Sequence, residues 1–223
     1  VETSTMARMS DIVVPIKAGP EKAVASTKAT TSQLAILTLL AYACDGGVKK
    51  GQQELINAAG QINDMLNPRY EEHIMKIAEK IKEVESMYII GRGANYPMAL
   101  EAAIKLQEVS YIHAEGFAGG ELKHGPIALI TENTPVIALV ANDDSKKEII
   151  SNATEIKARG GYIIGVAPEN DDIFDFWIRV PDTQAVSPIV NIIPVQILAY
   201  QLAVLRKNDP DKPRNLAKSV TVK

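Results

Sequence analysis

Apolar residues in this chain fall in short blocks separated by polar, helix-forming stretches, and the spacing of those blocks predicts the fold. MYIIG (87–91), PVIALV (135–140), YIIGVA (162–167) and FWIRV (176–180) are rich in β-branched and aromatic residues and lie between turn formers, as buried strands do. Between them, residues 96–110 and 144–158 read as helices, the second stopping at Gly160-Gly161, and a last helix is predicted over 189–206. Apolar strands alternating with helices predict an α/β fold: a three-layer parallel sheet flanked by helices, of flavodoxin-like or nucleotide-binding-like architecture.

Upstream the pattern is less complete. IVVPI (12–16) reads as a buried strand, followed by a turn at Gly19-Pro20 and a long helix that opens near Ser26, which offers an N-cap, and runs to about Ala43 before Gly46-Gly47. Residues 48–65 form a polar amphipathic helix, Asn67-Pro68 breaks it, and 70–84 form a charged helix. The predicted organisation is thus the C-terminal part of a first domain (1–46), a helical connection (47–86), a whole second domain (87–206) and a tail (207–223). One strand and one helix do not make a domain, so the chain is expected to open partway through a longer protein.

Composition narrows the setting. Hydrophobic residues at 46% and charged residues at 23% are those of an ordinary globular protein. A net charge of -3 gives no electrostatic case for nucleic acid or an anionic membrane as partner. The single cysteine, Cys44, excludes an internal disulfide, suits a reducing cytoplasm, and at the end of LAILTLLAYAC reads as a packed small hydrophobe. Residues 186–205 are long enough to cross a bilayer, but Asn191, Gln196, Gln201 and two prolines point instead to a buried helix. The first residues lack the charged and apolar segments of a secretory leader.

The candidate chemistry is carboxylate, imidazole and amine. GRGANYPMALE (91–101) follows a strand and opens a helix, but Tyr96 stands where a dinucleotide fingerprint needs its third glycine; a small-anion turn or a merely structural turn both remain. Lys105 and Glu108 lie three apart on one helical face, as an ion pair or as reacting groups. His124, beside Gly125-Pro126, falls outside helical pattern and is free to enter a cleft, whereas His73 reads as surface and His113 as core. Histidines so scattered, with no thiolate cluster, predict no metal, and no cofactor is expected. Lys218 is a tail lysine that, without further context, would be a solvated group.

KLQEVSYIHAEGFAGGELKHGPIALI (105–130) and RNLAKSVTVK (214–223) resemble the isomerase half of the glucosamine-6-phosphate synthase family, the glutamine–fructose-6-phosphate aminotransferases, which is built from a pair of sugar-isomerase (SIS) domains. VASTKATTSQL (24–34) resembles part of its first SIS domain, and the likeness is weaker over 48–86. The resemblance implies ring opening of fructose 6-phosphate by His124 acting in a neighbouring subunit's site, a Schiff base on Lys218, and 1,2-proton transfer by Glu108 with Lys105 beside the reacting oxygens. Val24, Ser26 and Ala217 would contact the sugar phosphate. To attack, Lys218 would need desolvation or a neighbouring cation. A homodimer and an upstream glutaminase domain that releases ammonia are implied as partners, and without that domain the complete reaction is not expected. Departures are Gln107 where a lysine is common, and Gly116 and Gly119 where alanines are common. Another SIS phosphosugar isomerase or deaminase, or a phosphosugar-binding sensor, would share the fold; the sensor would need neither Lys218 nor Glu108.

Overall fold

A computed structural model describes residues 3–218. Five parallel strands, β1 (Ser86–Gly91), β2 (His113–Ala118), β3 (Pro135–Leu139), β4 (Tyr162–Ala167) and β5 (Phe176–Arg179), form one sheet in the order β2-β1-β3-β4-β5. The register aligns Ser86 with His113 and Tyr88 with Val136. All five residues of β3 are buried, because helices cover both faces of the sheet. The predicted three-layer α/β architecture is therefore present.

The helices are α1 (Thr5–Met9), α2 (Lys28–Cys44), α3 (Val48–Met65), α4 (Pro68–Ile81), α5 (Asn95–Ser110), α6 (Lys146–Lys157) and α7 (Ser187–Leu205). The main core lies between the sheet and α4, α5 and α7, with Ile77, Met87, Ile89, Leu106, Ile137, Val190 and Leu198 sealed from solvent. Each such side chain contributes about 1.5–3 kcal/mol relative to exposure. A second core packs α6 on the opposite face around Ile90, Val136, Ile149, Ile156 and Ile163. By length and mean hydropathy the segment around α7 could span a membrane, yet 61% of its most apolar window is buried inside the protein. Two of its polar residues have partners: Asn191 donates to Asn95 Oδ1 at 2.9 Å and the Val140 carbonyl at 3.2 Å, and Gln201 donates to the Glu71 carbonyl at 3.0 Å, whereas the buried Gln196 Nε2 has none. A core helix needs such pairing, since an unpaired buried amide costs about 1–3 kcal/mol.

Several expectations are corrected. Residues 12–16 are extended but form no strand among the described residues, and Ile12 is 82% exposed. An apolar run becomes a strand only when an edge accepts its hydrogen bonds, and none lies beside it. HAEGFA, left without an element, is the edge strand β2; its first residue is exposed and His113 pairs with Glu115 at 2.8 Å instead of entering the core. Cys44 is exposed, and none of α2 is buried despite its apolar sequence. His73 is part-buried, its Nε2 hydrogen-bonded to the Trp177 carbonyl at 2.7 Å and its ring stacked on Phe176. Asn67 both breaks and caps: its side chain accepts from Tyr70 N–H, with Pro68 in the first turn, so α4 begins before residue 70.

Candidate functional site

The close seating of α5 on the sheet positions one half of the site. Gly116 lets the helix approach, since a Cβ there would lie 2.5 Å from the Ala99 carbonyl oxygen. At the far end Tyr111 adopts a left-handed φ of 60°, and Asn208 Nδ2 donates at 3.3 Å to the Val109 and Ser110 carbonyls, satisfying acceptors at the helix end. Lys105 and Glu108 lie in the last turns of α5, at the edge where β1 and β2 begin.

Lys105 is only 4% exposed, and its Nζ lies 2.6 Å from Glu108 Oε2 and 3.5 Å from Glu101 Oε1. The spacing thus yields a buried pair, not a solvated one, with a second carboxylate added. Burial raises the Glu101 carboxyl above its ordinary range against the opposing pull of Lys105, and its buried Oε1 has no hydrogen-bond partner. Glu101 also interacts with the Thr30 hydroxyl, which lies 3.1 Å from the Ser26 hydroxyl. A polar chain therefore runs from Ser26 through Thr30 and Glu101 to Lys105 and Glu108. Ser26 does not cap its helix: Thr27 holds the N-cap position, and the Glu21 carboxylate takes the Thr27 N–H at 2.7 Å.

The tail folds back onto the same segment. Asp211 accepts from Val24 N–H at 3.2 Å, Tyr111 Oη accepts from Arg214 N–H at 2.8 Å, and the Arg214 guanidinium lies 4.2 Å from the Tyr111 ring centroid. Lys218 Nζ then reaches Glu21 Oε2 at 3.1 Å and the Val24 carbonyl at 3.2 Å. Its side chain is 46% exposed and faces a carboxylate, so the desolvation or neighbouring cation expected of it is not found. Ala217 is exposed and Val24 half-buried; Ser219 to Lys223, the rest of the matched tail, lie outside the described residues. A cleft of about 200 Å³ joins the two halves, lined by Ala25, Thr27, Lys105, Val109, Tyr200 and Asp211 among others.

His124 stands apart. It ends a one-turn 3-10 helix (Leu122–His124), contrary to the non-helical expectation, and is exposed. It follows the end of β2, whereas Glu108 precedes the start of that strand. Six strand residues separate the two edges by about 20 Å. At the Gly-rich turn after β1, a Cβ on Gly91 would strike the Asn95 carbonyl, and Gly93 has φ +52°. Turn geometry accounts for both glycines, while Arg92 Nε is taken by Asn152 Oδ1 at 3.0 Å. Among the described residues no three His, Cys, Asp or Glu side chains are grouped to hold a metal.

Sequence reasoning brought together Lys105, Glu108, Val24, Ser26 and Lys218 but missed Glu21, Thr30 and Glu101. Glu101 alone left a local signal: it is four residues before Lys105, the spacing that puts it on the same helix face.

Residues 80–206 match the model of the SIS domain. The chain is 45% identical to a glutamine–fructose-6-phosphate aminotransferase (isomerizing) of Mesorhizobium japonicum, an alignment covering 100% of this chain and 39% of that protein. The chain thus spans about two fifths of the length of the curated relatives it matches. Among solved structures it superposes on the C-terminal domain of glucosamine-fructose-6-phosphate aminotransferase from Francisella tularensis with a TM-score of 0.85 and 37% identity, over 95% of this chain and 63% of that one. A glucosamine-6-phosphate deaminase from Thermotoga maritima follows at a TM-score of 0.75 and 26% identity, over 98% of this chain and 64% of that one.

Proposed function

The chain belongs to the SIS domain family, and on that premise we propose that it is the isomerase part of a glutamine-dependent aminotransferase that makes glucosamine 6-phosphate from fructose 6-phosphate. The observation that carries this reading is the contact of Lys218 Nζ with the Val24 carbonyl at 3.2 Å, which joins the tail to the segment leading through Ser26 to Lys105 and Glu108.

In this mechanism His124 opens the hexose ring. Unprotonated Lys218 Nζ adds to the keto carbon, the carbonyl oxygen takes a proton, and the carbinolamine loses water to leave a protonated imine. Ammonia then displaces the lysine at that carbon. Glu108 removes a proton from C1 and returns it to C2, while Lys105 steadies the oxygen on C1. Val24, Ser26 and Ala217 hold the sugar phosphate. No cofactor takes part.

The separation of His124 from Glu108 supports a homodimer in which each histidine serves the other copy's site. The relatives' greater length supports a glutaminase domain upstream as the ammonia source. Unburied α2 and the unpaired run 12–16 support the C-terminal part of a first SIS domain over 1–46, followed by a helical connection over 47–86, a second SIS domain over 87–206 and an active-site tail over 207–223. A cytoplasmic setting fits the unpaired Cys44.

Borohydride trapping with fructose 6-phosphate, followed by peptide mass spectrometry, tests the reading in this chain and in its parent protein. A reduced hexose-phosphate adduct on Lys218 is expected, and its loss in Lys218→Ala. No adduct in either protein would sink the imine and leave a phosphosugar-binding module. The Thermotoga structure favours a second reading, amino-sugar deamination; ammonia released from glucosamine 6-phosphate by a parent lacking glutamine-dependent synthesis would select it.

A further inference from the structure

We propose that Glu21 is the counter-ion and positioning residue of the imine-forming lysine. The inference rests on the reading that Lys218 forms the imine, and it adds a residue that the tail and α5 motifs leave out.

Glu21 is 11% exposed and uses both oxygens. Oε1 accepts Thr27 N–H at 2.7 Å and Ala29 N–H at 3.5 Å, which fixes the carboxylate at the opening of α2. Oε2 meets Lys218 Nζ at 3.1 Å. Burial opposes the charged carboxylate, but the hydrogen bonds from Thr27, Lys218 and Ala29 outweigh it and hold the acid below its ordinary range. A carboxylate anchored by backbone amides is a fixed charge, whereas the lysine that meets it lies in a tail whose described residues are mostly exposed.

The chemistry suits such a partner. The ammonium before attack and the protonated imine after loss of water carry the same positive charge on the same nitrogen, so one fixed carboxylate stabilises both. It also holds that nitrogen 3.2 Å from the Val24 carbonyl, beside the segment that would carry the sugar phosphate. Glu21 therefore acts through Lys218 and not on the substrate.

Two substitutions separate charge from cap. Gln in Glu21→Gln keeps a side-chain oxygen for Thr27 N–H but removes the charge; Glu21→Ala removes both. The readout is the rate at which an amine-reactive acylating reagent labels Lys218 in this chain at fixed pH, resolved by peptide mass spectrometry, together with thermal unfolding. Expected for Glu21→Gln is labelling faster by about threefold, the scale of a partly exposed ion pair, with a melting midpoint lowered by less than in Glu21→Ala. Glu21→Ala should label at least as fast and melt roughly 3 °C lower. Labelling of Glu21→Gln at the wild-type rate would reduce Glu21 to a helix cap and overturn the proposal. Sugar-phosphate trapping on wild type reports separately: an absent adduct removes the imine reading, while a changed labelling rate still establishes the ion pair.

Discussion

Two lysines carry the candidate site, and they are held in opposite ways. Lys105 is sealed at 4% exposure between two carboxylates on its own helix, whereas Lys218 is half out in solvent against one carboxylate nearly two hundred residues away. A buried charge must keep its partners, because an uncompensated one loses its hydration with nothing in return. An exposed charge gains little from its partner and can leave it. In the proposed mechanism, the difference would assign rigidity to the proton-transfer end of the site and freedom to the nitrogen that attacks a carbon and is released.

The comparison is broken most strongly by Lys105→Ala, expected to destabilise the chain by about 3–5 kcal/mol in denaturant titration because Glu101 and Glu108 are left facing each other. Lys218→Ala should change stability by less than about 1 kcal/mol in the same titration while removing the trapped adduct. Between them falls Gly116→Ala, where the new Cβ meets the Ala99 carbonyl and forces α5 away from β2 at a cost of about 1–3 kcal/mol.

Acid–base behaviour sharpens the contrast with the smallest effects. Glu101 has a folded value raised above its ordinary 4.5, so its contribution to stability is full at acid pH and is lost as pH rises through that raised value. Glu21 has a lowered folded value, so its contribution is full above 4.5 and is lost as pH falls through the lowered one. Melting curves across pH should show Glu101→Gln removing the decline on the alkaline side of 4.5, and Glu21→Gln removing part of the decline on the acid side.

Strands β1, β3 and β4 were legible because a doubly covered parallel strand needs a continuous apolar run, and β5, though an edge, because Phe176, Trp177 and Ile178 are aromatic or β-branched. β2 was not, because an edge strand alternating Gly, Glu and Ala has no such run. IVVPI misled for the converse reason: apolarity marks a segment that wants burial, not one that has found a neighbour. Within the site, Lys105 and Glu108 were legible from helix spacing, and Lys218 from likeness to a family. Glu21 and Thr30 were not, since each acquires its role only when α2 meets the tail or α5. Such long-range pairings leave no periodicity in the residues around them.

The closure between Lys218 and the Glu21–Val24 segment spans 197 positions for the carboxylate contact. The sheet, α5 and α7 between these two positions are held by contacts of their own, so the Lys218–Glu21 contact closes a loop that is already ordered. Opening it would free the tail while leaving every strand and helix of the fold in place.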